Sequence, residues 1–252
     1  MLASVLSLAF VLPVQASDPL LIAAASDLRY ALEDIVGVYR QANPAADIEV
    51  IYGSSGKMTT QIVNGAPYDV FFSADIAFPR LLEERGLTAT EPAVYAIGRL
   101  VLWSNAIDAS NLTLTDLADD RVDRIAIAQP AHAPYGMRAR EALMAAGVWA
   151  AVQGKLVFGE NIAQTAQMAQ SGAADVGIIA LSLALFPGLA SHGHHLIDDS
   201  LHAPLTQGFV VTRHGATKPG AFAFADFMRS EQAHEIMTQY GFGLPPSHLG
   251  AQ

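Results

Sequence analysis

Along this chain, short apolar runs are repeatedly followed by small polar residues. Apolar residues at helical spacing come next. The first run, residues 20–25, is unbroken and typical of a strand buried on both faces. Ser26 follows it, and apolar residues from Leu28 to Tyr39 then recur at helical spacing. Three further junctions of this kind are Ser54-Ser55, Tyr135-Gly136 and Asn161-Ile162. Strands that alternate with helices through short connections predict a parallel sheet with helices on both faces.

Two strand-like runs contain an interior glycine, where a chain can bend from one domain into another. Gly98 lies in the run 95–104, and Gly208 lies in the run 205–213. A helix is expected over residues 222–240. We predict an α/β fold of two doubly wound α/β domains joined by a two-strand hinge. Domain I is expected to comprise residues 17–97 and 208–252, and domain II residues 98–207.

The first 16 residues resemble a secretory signal peptide. Their apolar stretch is too short to span a bilayer, and it ends in a small-residue pattern that predicts cleavage after Ala16. Because no Lys or Arg precedes this stretch, a longer signal that starts upstream and a buried first strand stay open as alternatives. Cleavage would place the mature protein in the periplasm.

Charge and cysteine content exclude several classes of function. The formal net charge is -10, and the chain lacks the Lys and Arg clusters that hold nucleic acids or acidic membranes. The cysteine count is zero, which removes disulfides, thiolate metal sites and cysteine nucleophiles. We therefore expect no nucleic-acid partner, no membrane partner held by charge and no metal site.

Each junction places a helix start at the carboxyl end of a strand. A helix start presents unpaired backbone N–H groups and roughly half a positive charge, so four of them carry about two charges. Ligands of open α/β sheets bind at the carboxyl ends of strands, and two facing domains would aim the four starts at one cleft. Neutral, rigidly held donors of this kind favour a small tetrahedral oxyanion over a flexible organic ligand.

The chain resembles the periplasmic molybdate-binding proteins of ABC importers, which are type II two-domain periplasmic binding proteins. The resemblance covers essentially the whole mature chain. The stretches that carry it are AAASDL (23–28), YGSSG (52–56), GAPYDVFFSAD (65–75), APYG (133–136), GENIAQTAQMAQSGAADVGIIALS (159–182) and YGF (240–242).

The resemblance implies a solute-binding protein without catalytic activity or cofactor. Its ligand would be molybdate or tungstate, and its partner an ABC permease at the membrane; we expect a monomer. Ser26 and Ser55 would contact the oxyanion through hydroxyl and backbone N–H groups, and Tyr135 and Ile162 would donate backbone N–H groups. Additional candidates are Asp27, Ser54 and Asn161.

Two positions depart from the family pattern. Some members have a Tyr that contacts the ligand where this chain has Ala180, so one hydroxyl donor is expected to be absent. Asp27 is the other departure, because a carboxylate in the site would repel a dianion but accept the proton of hydrogen phosphate. We expect Asp27 to face away from the site and to stabilise the first helical turn.

Two rival functions stay open. A binder of sulfate or phosphate would use the same donors. A serine-type hydrolase would use the helix starts as an oxyanion hole, but Ser54-Ser55 lacks the G-x-S-x-G order and no histidine can be assigned as its base.

Other residues are expected to have structural rather than functional roles. The histidines of the 192–198 segment, with Asp198, are expected to form a solvated loop, because their spacing fits no helix-face metal pattern. Lys57 and Arg138 are expected at the solvated surface. Core positions are expected for Tyr30, Phe71, Phe72 and Phe158.

Overall fold

The computed structural model of the protein describes residues 18–245. The predicted signal peptide, residues 1–16, lies outside this range, so its cleavage stays a prediction. Among the residues described, no helix has the length and apolar character needed to cross a bilayer.

The fold has two five-stranded sheets, and we call each sheet with its helices a lobe. The sheet of the first lobe has the strand order β2-β1-β3-β10-β4. Strands β1, β2 and β3 are parallel, and β10 runs antiparallel to β3 and β4. The strands are β1 (Leu20–Ala25), β2 (Ile48–Gly53), β3 (Val70–Ser73), β4 (Ala93–Gly98) and β10 (Leu205–Val211).

The sheet of the second lobe has the order β7-β6-β8-β5-β9. Strands β6, β7 and β8 are parallel, whereas β5 is antiparallel to β8 and β9. The strands are β5 (Leu100–Trp103), β6 (Ile125–Ala128), β7 (Leu156–Gly159), β8 (Val176–Ala180) and β9 (His194–Leu196). The predicted fold of two α/β domains is confirmed.

Most helices follow a strand directly, as the alternating pattern predicts. The α-helices are α1 (Arg29–Ala42), α2 (Ser55–Val63), α3 (Ala77–Glu84), α4 (Pro134–Ala145), α5 (Trp149–Val152), α6 (Ile162–Gln170), α7 (Leu181–Ala184), α8 (Pro219–Phe227) and α9 (Glu231–Gln239). A 3₁₀ turn at Ser26–Leu28 joins β1 to α1.

Strands β1 and β3 of the first lobe are apolar on both faces because helices cover both faces. In β1, Ile22 and Ala24 belong to one hydrophobic cluster and Ala23 belongs to the cluster on the opposite face. In β3, Phe72 belongs to the same cluster as Ile22, and Phe71 belongs to the same cluster as Ala23. Both phenylalanine side chains are fully buried. Burial on both faces explains why these strands lack alternation of polar and apolar residues.

The run 95–104 forms two strands in different sheets rather than one. Gly98 ends β4 in the first lobe, and β5 begins at Leu100 in the second. The return crossing lies between β9 and β10, at residues 197–204, whereas Gly208 lies within β10 at an irregularity in its pairing with β4. The residue limits of the two domains stay a prediction.

Three local expectations were wrong. The predicted helix over residues 222–240 is two helices, because the Ser230 side chain accepts a hydrogen bond from the N–H of Ala233 and caps a new start at α9. Phe158 is not in the core, since 47% of it is exposed. The histidine segment is not only loop, because His194 and His195 lie in the edge strand β9.

Tyr30 is only partly buried, and it lies between the lobes. Its ring stacks on that of Phe186 with 3.5 Å between ring centroids.

Candidate functional site

A small cavity lies where the lobes face each other at the carboxyl ends of their strands. Its empty space is about 190 Å³, which includes space that is open to solvent. Both lobes contribute to its wall, which is lined by Ala25, Ser26, Asp27, Gly53, Ser54, Ser55, Ala74, Ala133, Pro134, Tyr135 and Ile162. All four junctions identified in the sequence therefore meet at one place.

Ser26 links the two lobes at the cavity wall. It follows β1 and is almost completely buried. Its hydroxyl donates to Asn161 Oδ1 over 3.1 Å and accepts from the backbone N–H of Ala163 over 3.2 Å. Asn161 Oδ1 also accepts from the N–H of Gln164, so Asn161 caps α6 as its position predicts.

Ser54 and Ser55 form the corresponding turn between β2 and α2. Ser55 is fully buried, and its Oγ accepts a hydrogen bond from the N–H of Ala74 over 3.0 Å. This bond leaves the hydroxyl hydrogen of Ser55 able to donate to a bound anion. Ser54 Oγ instead lies 2.8 Å from His132 Nδ1 of the second lobe.

The second lobe brings backbone N–H groups to the cavity. Tyr135 lies in the first turn of α4, directly after Pro134, and Ile162 is the first residue of α6. N–H groups in the first turn of a helix have no partner within that helix, and proline is favoured where its missing N–H costs nothing. These positions can therefore donate to an anion without any polar side chain.

The structure contradicts the expectation that Asp27 faces away. Asp27 is 1% exposed, lines the cavity and accepts two hydrogen bonds at Oδ2: from Gln207 Nε2 over 2.6 Å and from Tyr135 Oη over 3.0 Å. Tyr95 Oη donates to Gln207 Oε1 over 2.5 Å and extends this network. Asp27 is drawn inwards because the second lobe supplies a phenol donor that sequence periodicity cannot reveal.

Burial raises the pKa of Asp27 from 3.8 to about 6, although the hydrogen bonds from Gln207 and Tyr135 lower it. The backbone N–H groups of Asp27 and Leu28 also lower this pKa, but neither makes a hydrogen bond of normal geometry to Oδ1. Gly98 permits the network, because a Cβ there would collide with Tyr135 Oη and Gln207 Nε2.

Further contacts hold the lobes together around the cavity. The N–H of Gly56 donates to the carbonyl of His132 over 3.0 Å. Arg138 forms an ion pair with Asp75 at 3.1 Å, in which both side chains are mostly buried. The expectation that Arg138 lies at the solvated surface was therefore wrong, because Asp75 of the first lobe covers it.

Lys57 is half exposed and pairs with Glu160 across the cleft at 2.9 Å. It meets the expectation for a surface residue, but it also bridges the lobes.

Ser54 and His132 correct one further statement, because a histidine does lie within hydrogen-bond reach of a cleft serine. Burial and the nearby charge of Lys57 lower the pKa of His132. Among residues 18–245, no carboxylate hydrogen-bonds to His132 and orients it as a catalytic triad requires.

Two other expectations concern residues near the cleft. Ala180 ends β8 and is fully buried. Two residues later, the hydroxyl of Ser182 donates to the backbone carbonyl of Asp27. Within the described part of the chain, no group of His, Cys, Asp and Glu side chains is arranged to hold a metal ion.

Sequence reasoning missed Gln207, Tyr95, His132 and Asp75. Gln207 lies 180 residues from Asp27 along the chain, and its β10 strand reads as an ordinary buried strand. No local pattern marks such a contact. The only available signal was a polar residue within an otherwise apolar strand.

Comparisons with known proteins identify the family of this chain. The family described as "Bacterial extracellular solute-binding protein" matches residues 20–243. The molybdate-binding protein ModA of Rhodobacter capsulatus is 34% identical over 246 residues, which are 96% of this chain and 93% of that protein.

Solved structures show the same relationship. The periplasmic molybdate-binding protein of Azotobacter vinelandii superposes with a TM-score of 0.83 at 32% identity, over 90% of this chain and all of that one. The substrate-binding domain of a putative molybdenum ABC transporter from Clostridium difficile gives a TM-score of 0.66 at 29% identity, over 90% and 99% of the two chains. The chain therefore belongs to the family of bacterial extracellular solute-binding proteins, in which the molybdate-binding proteins are its relatives.

Proposed function

We propose that this protein is the solute-binding component of an ABC importer and that it captures molybdate or tungstate between its lobes. The observation that carries the proposal is the convergence of four strand-to-helix junctions on one cavity between the lobes. Relatives that are named for molybdate binding support the choice of ligand.

The cavity suits a small dianion for two physical reasons. Four helix starts supply about two positive charges, which balance the two negative charges of the anion. The cavity is also small, because its empty space of about 190 Å³ includes space that is open to solvent, and this suits a small anion rather than a large organic ligand.

Ser26 and Ser55 are proposed as hydroxyl donors to the anion, and Tyr135 and Ile162 as backbone donors. The hydroxyl hydrogen of Ser26, which Asn161 Oδ1 accepts here, would turn to the anion on binding. Ser54 is occupied by His132. Asp27 is proposed as a further residue of the site, because it lines the cavity.

The protein acts by binding alone. Its relatives are binding proteins rather than enzymes, and the anion is cargo rather than cofactor. Contacts across the cleft, such as Arg138 with Asp75, would form as the lobes close over the anion. The closed protein would then be presented, as a monomer in the periplasm, to a membrane permease.

A panel of molybdate, tungstate, sulfate and phosphate in thermal unfolding tests the ligand. Molybdate and tungstate should each stabilise the protein, by about 2.7 kcal/mol when present at 100 times Kd. Sulfate and phosphate should have little effect. A variant that combines Ser26→Ala with Ser55→Ala is the control, and it should lose most of this response.

An equal response to phosphate or sulfate would assign the protein to another tetrahedral oxyanion. The absence of any response to all four anions would overturn the proposed function.

A further inference from the structure

The two oxygens of the Asp27 carboxyl have different surroundings. Oδ2 accepts hydrogen bonds from Gln207 and Tyr135. Oδ1 is buried and has no hydrogen-bond partner within residues 18–245. Because Oδ2 already serves two donors, a proton on this carboxyl belongs on Oδ1.

We infer that Asp27 takes up a proton from solution when the oxyanion binds, and that Oδ1 then donates this proton in a hydrogen bond to an oxygen of the anion. The inference rests on the function proposed above. The step balances simply: one solvent proton neutralises the carboxylate, and the complex keeps the two negative charges of the anion. No bond of the anion is broken.

An ionised Asp27 would be unfavourable beside the anion. It would bring a third negative charge to the cavity wall, and its unpartnered Oδ1 could only accept hydrogen bonds, where the anion needs a donor. Protonation removes the repulsion and converts an acceptor into a donor. Each polar group that is proposed to face the anion would then be a donor, as a fully deprotonated dianion requires.

The surroundings make Asp27 the group that titrates. The titratable side chains that face it are Tyr135 of α4 and Tyr95 of β4, and burial together with the nearby charge of Asp27 raises both of their pKa values. Gln207 of β10 and Ser182 of α7 are neutral. Since burial already raises the pKa of Asp27 to about 6, a bound dianion would raise it further, through neutral pH.

This arrangement also bears on which oxyanions are accepted. Hydrogen phosphate carries its own proton, so it would donate to an ionised Asp27 and take up none from solution. Molybdate carries no proton at neutral pH and needs the one on Asp27. Proton uptake therefore separates the proposed function from its phosphate-binding rival.

The number of protons taken up per bound anion can be measured by isothermal titration calorimetry. Molybdate is titrated into the protein in buffers of different ionisation enthalpy. Near pH 7.5 the wild-type protein should take up about one proton per anion, and Kd should rise about tenfold for each pH unit above neutrality. Asp27→Asn should take up none and should bind with a Kd that is nearly independent of pH. Its amide nitrogen supplies the donor permanently.

His132→Gln is the matched control, because His132 is a second titratable side chain at the cleft, whose pKa is lowered by burial and by the charge of Lys57. This variant should take up a proton as the wild type does. If Asp27→Asn fails to fold, the number of protons that the wild-type protein takes up still tests the inference.

A wild-type count near zero, or equal pH dependence in Asp27→Asn and the wild type, would overturn the inference while molybdate still binds. A wild-type protein that binds no molybdate at any pH would instead overturn the proposed function.

Discussion

The two lobes approach the cavity with different chemistry. The first lobe presents side chains: the hydroxyls of Ser26 and Ser55 and the carboxyl of Asp27. The second lobe presents the backbone at Tyr135 and Ile162. Both lobes use helix starts, so the electrostatic contribution is similar, but only the donors of the first lobe depend on residue identity. Substitutions on the two sides of the cavity should therefore have unequal effects.

The largest effect on affinity is expected from Ser26→Ala and Ser55→Ala. Each removes a hydrogen bond to a charged group, which contributes about 1.5–3 kcal/mol, or roughly a 10- to 150-fold rise in Kd for molybdate. Calorimetric titration of each variant measures this. Ser230→Ala is the matched control: this serine caps α9, away from the cavity, so its loss should lower stability and leave Kd unchanged.

Ile162→Val tests the other side of the comparison. The variant keeps the backbone N–H and changes only an apolar side chain, so Kd should change by less than about threefold. A loss as large as that of the serine variants would show that the second lobe acts through its side chains, and the contrast between the lobes would fail.

Gly56→Ala is expected to have the next largest effect, because it acts on the contact between the lobes. A Cβ at this position would lie 2.7 Å from the carbonyl oxygen of His132, which is too close for the closed arrangement. Overpacking of this kind costs about 1–3 kcal/mol, and here the cost falls on the closed form, so affinity for molybdate should fall accordingly.

The control for this variant is Gly37→Ala in α1, where a Cβ would meet nothing within 4 Å. It should raise the free energy of unfolding by roughly 0.5–1 kcal/mol, because alanine is favoured over glycine within a helix, and leave Kd unchanged. If Gly56→Ala binds molybdate as tightly as the wild type, closure does not bring residue 56 against His132.

Much of the fold could be predicted from local patterns, because buried parallel strands and amphipathic helices leave a periodic signature. The two-helix ending was missed, since α8 and α9 share one apolar pattern and only Ser230 marks the break. Phe158 was misplaced for a related reason: an apolar residue in a short strand does not show which face is covered.

The site was predictable where it depends on helix starts and not where it depends on contacts between lobes. Ser26, Ser55, Tyr135 and Ile162 could be placed at one cleft because each follows a strand. The orientation of Asp27 could not be predicted, since it is set by Tyr135, 108 residues away in the chain. Arg138 was misjudged for the same reason, because Asp75 is 63 residues away.

The smallest effect is expected at the rim of the cleft. Lys57 and Glu160 bridge the lobes with side chains that are 48% and 57% exposed, so solvent screens their attraction. Lys57→Gln should raise Kd for molybdate less than about threefold, and the difference should vanish at high ionic strength. Titrations at low and high salt measure this.

Arg138→Gln is the comparison, because the ion pair of Arg138 with Asp75 is mostly buried and should be less sensitive to salt. A large, salt-independent loss for Lys57→Gln would mean that the cation reaches the anion itself, and neutral donors alone would then not account for binding.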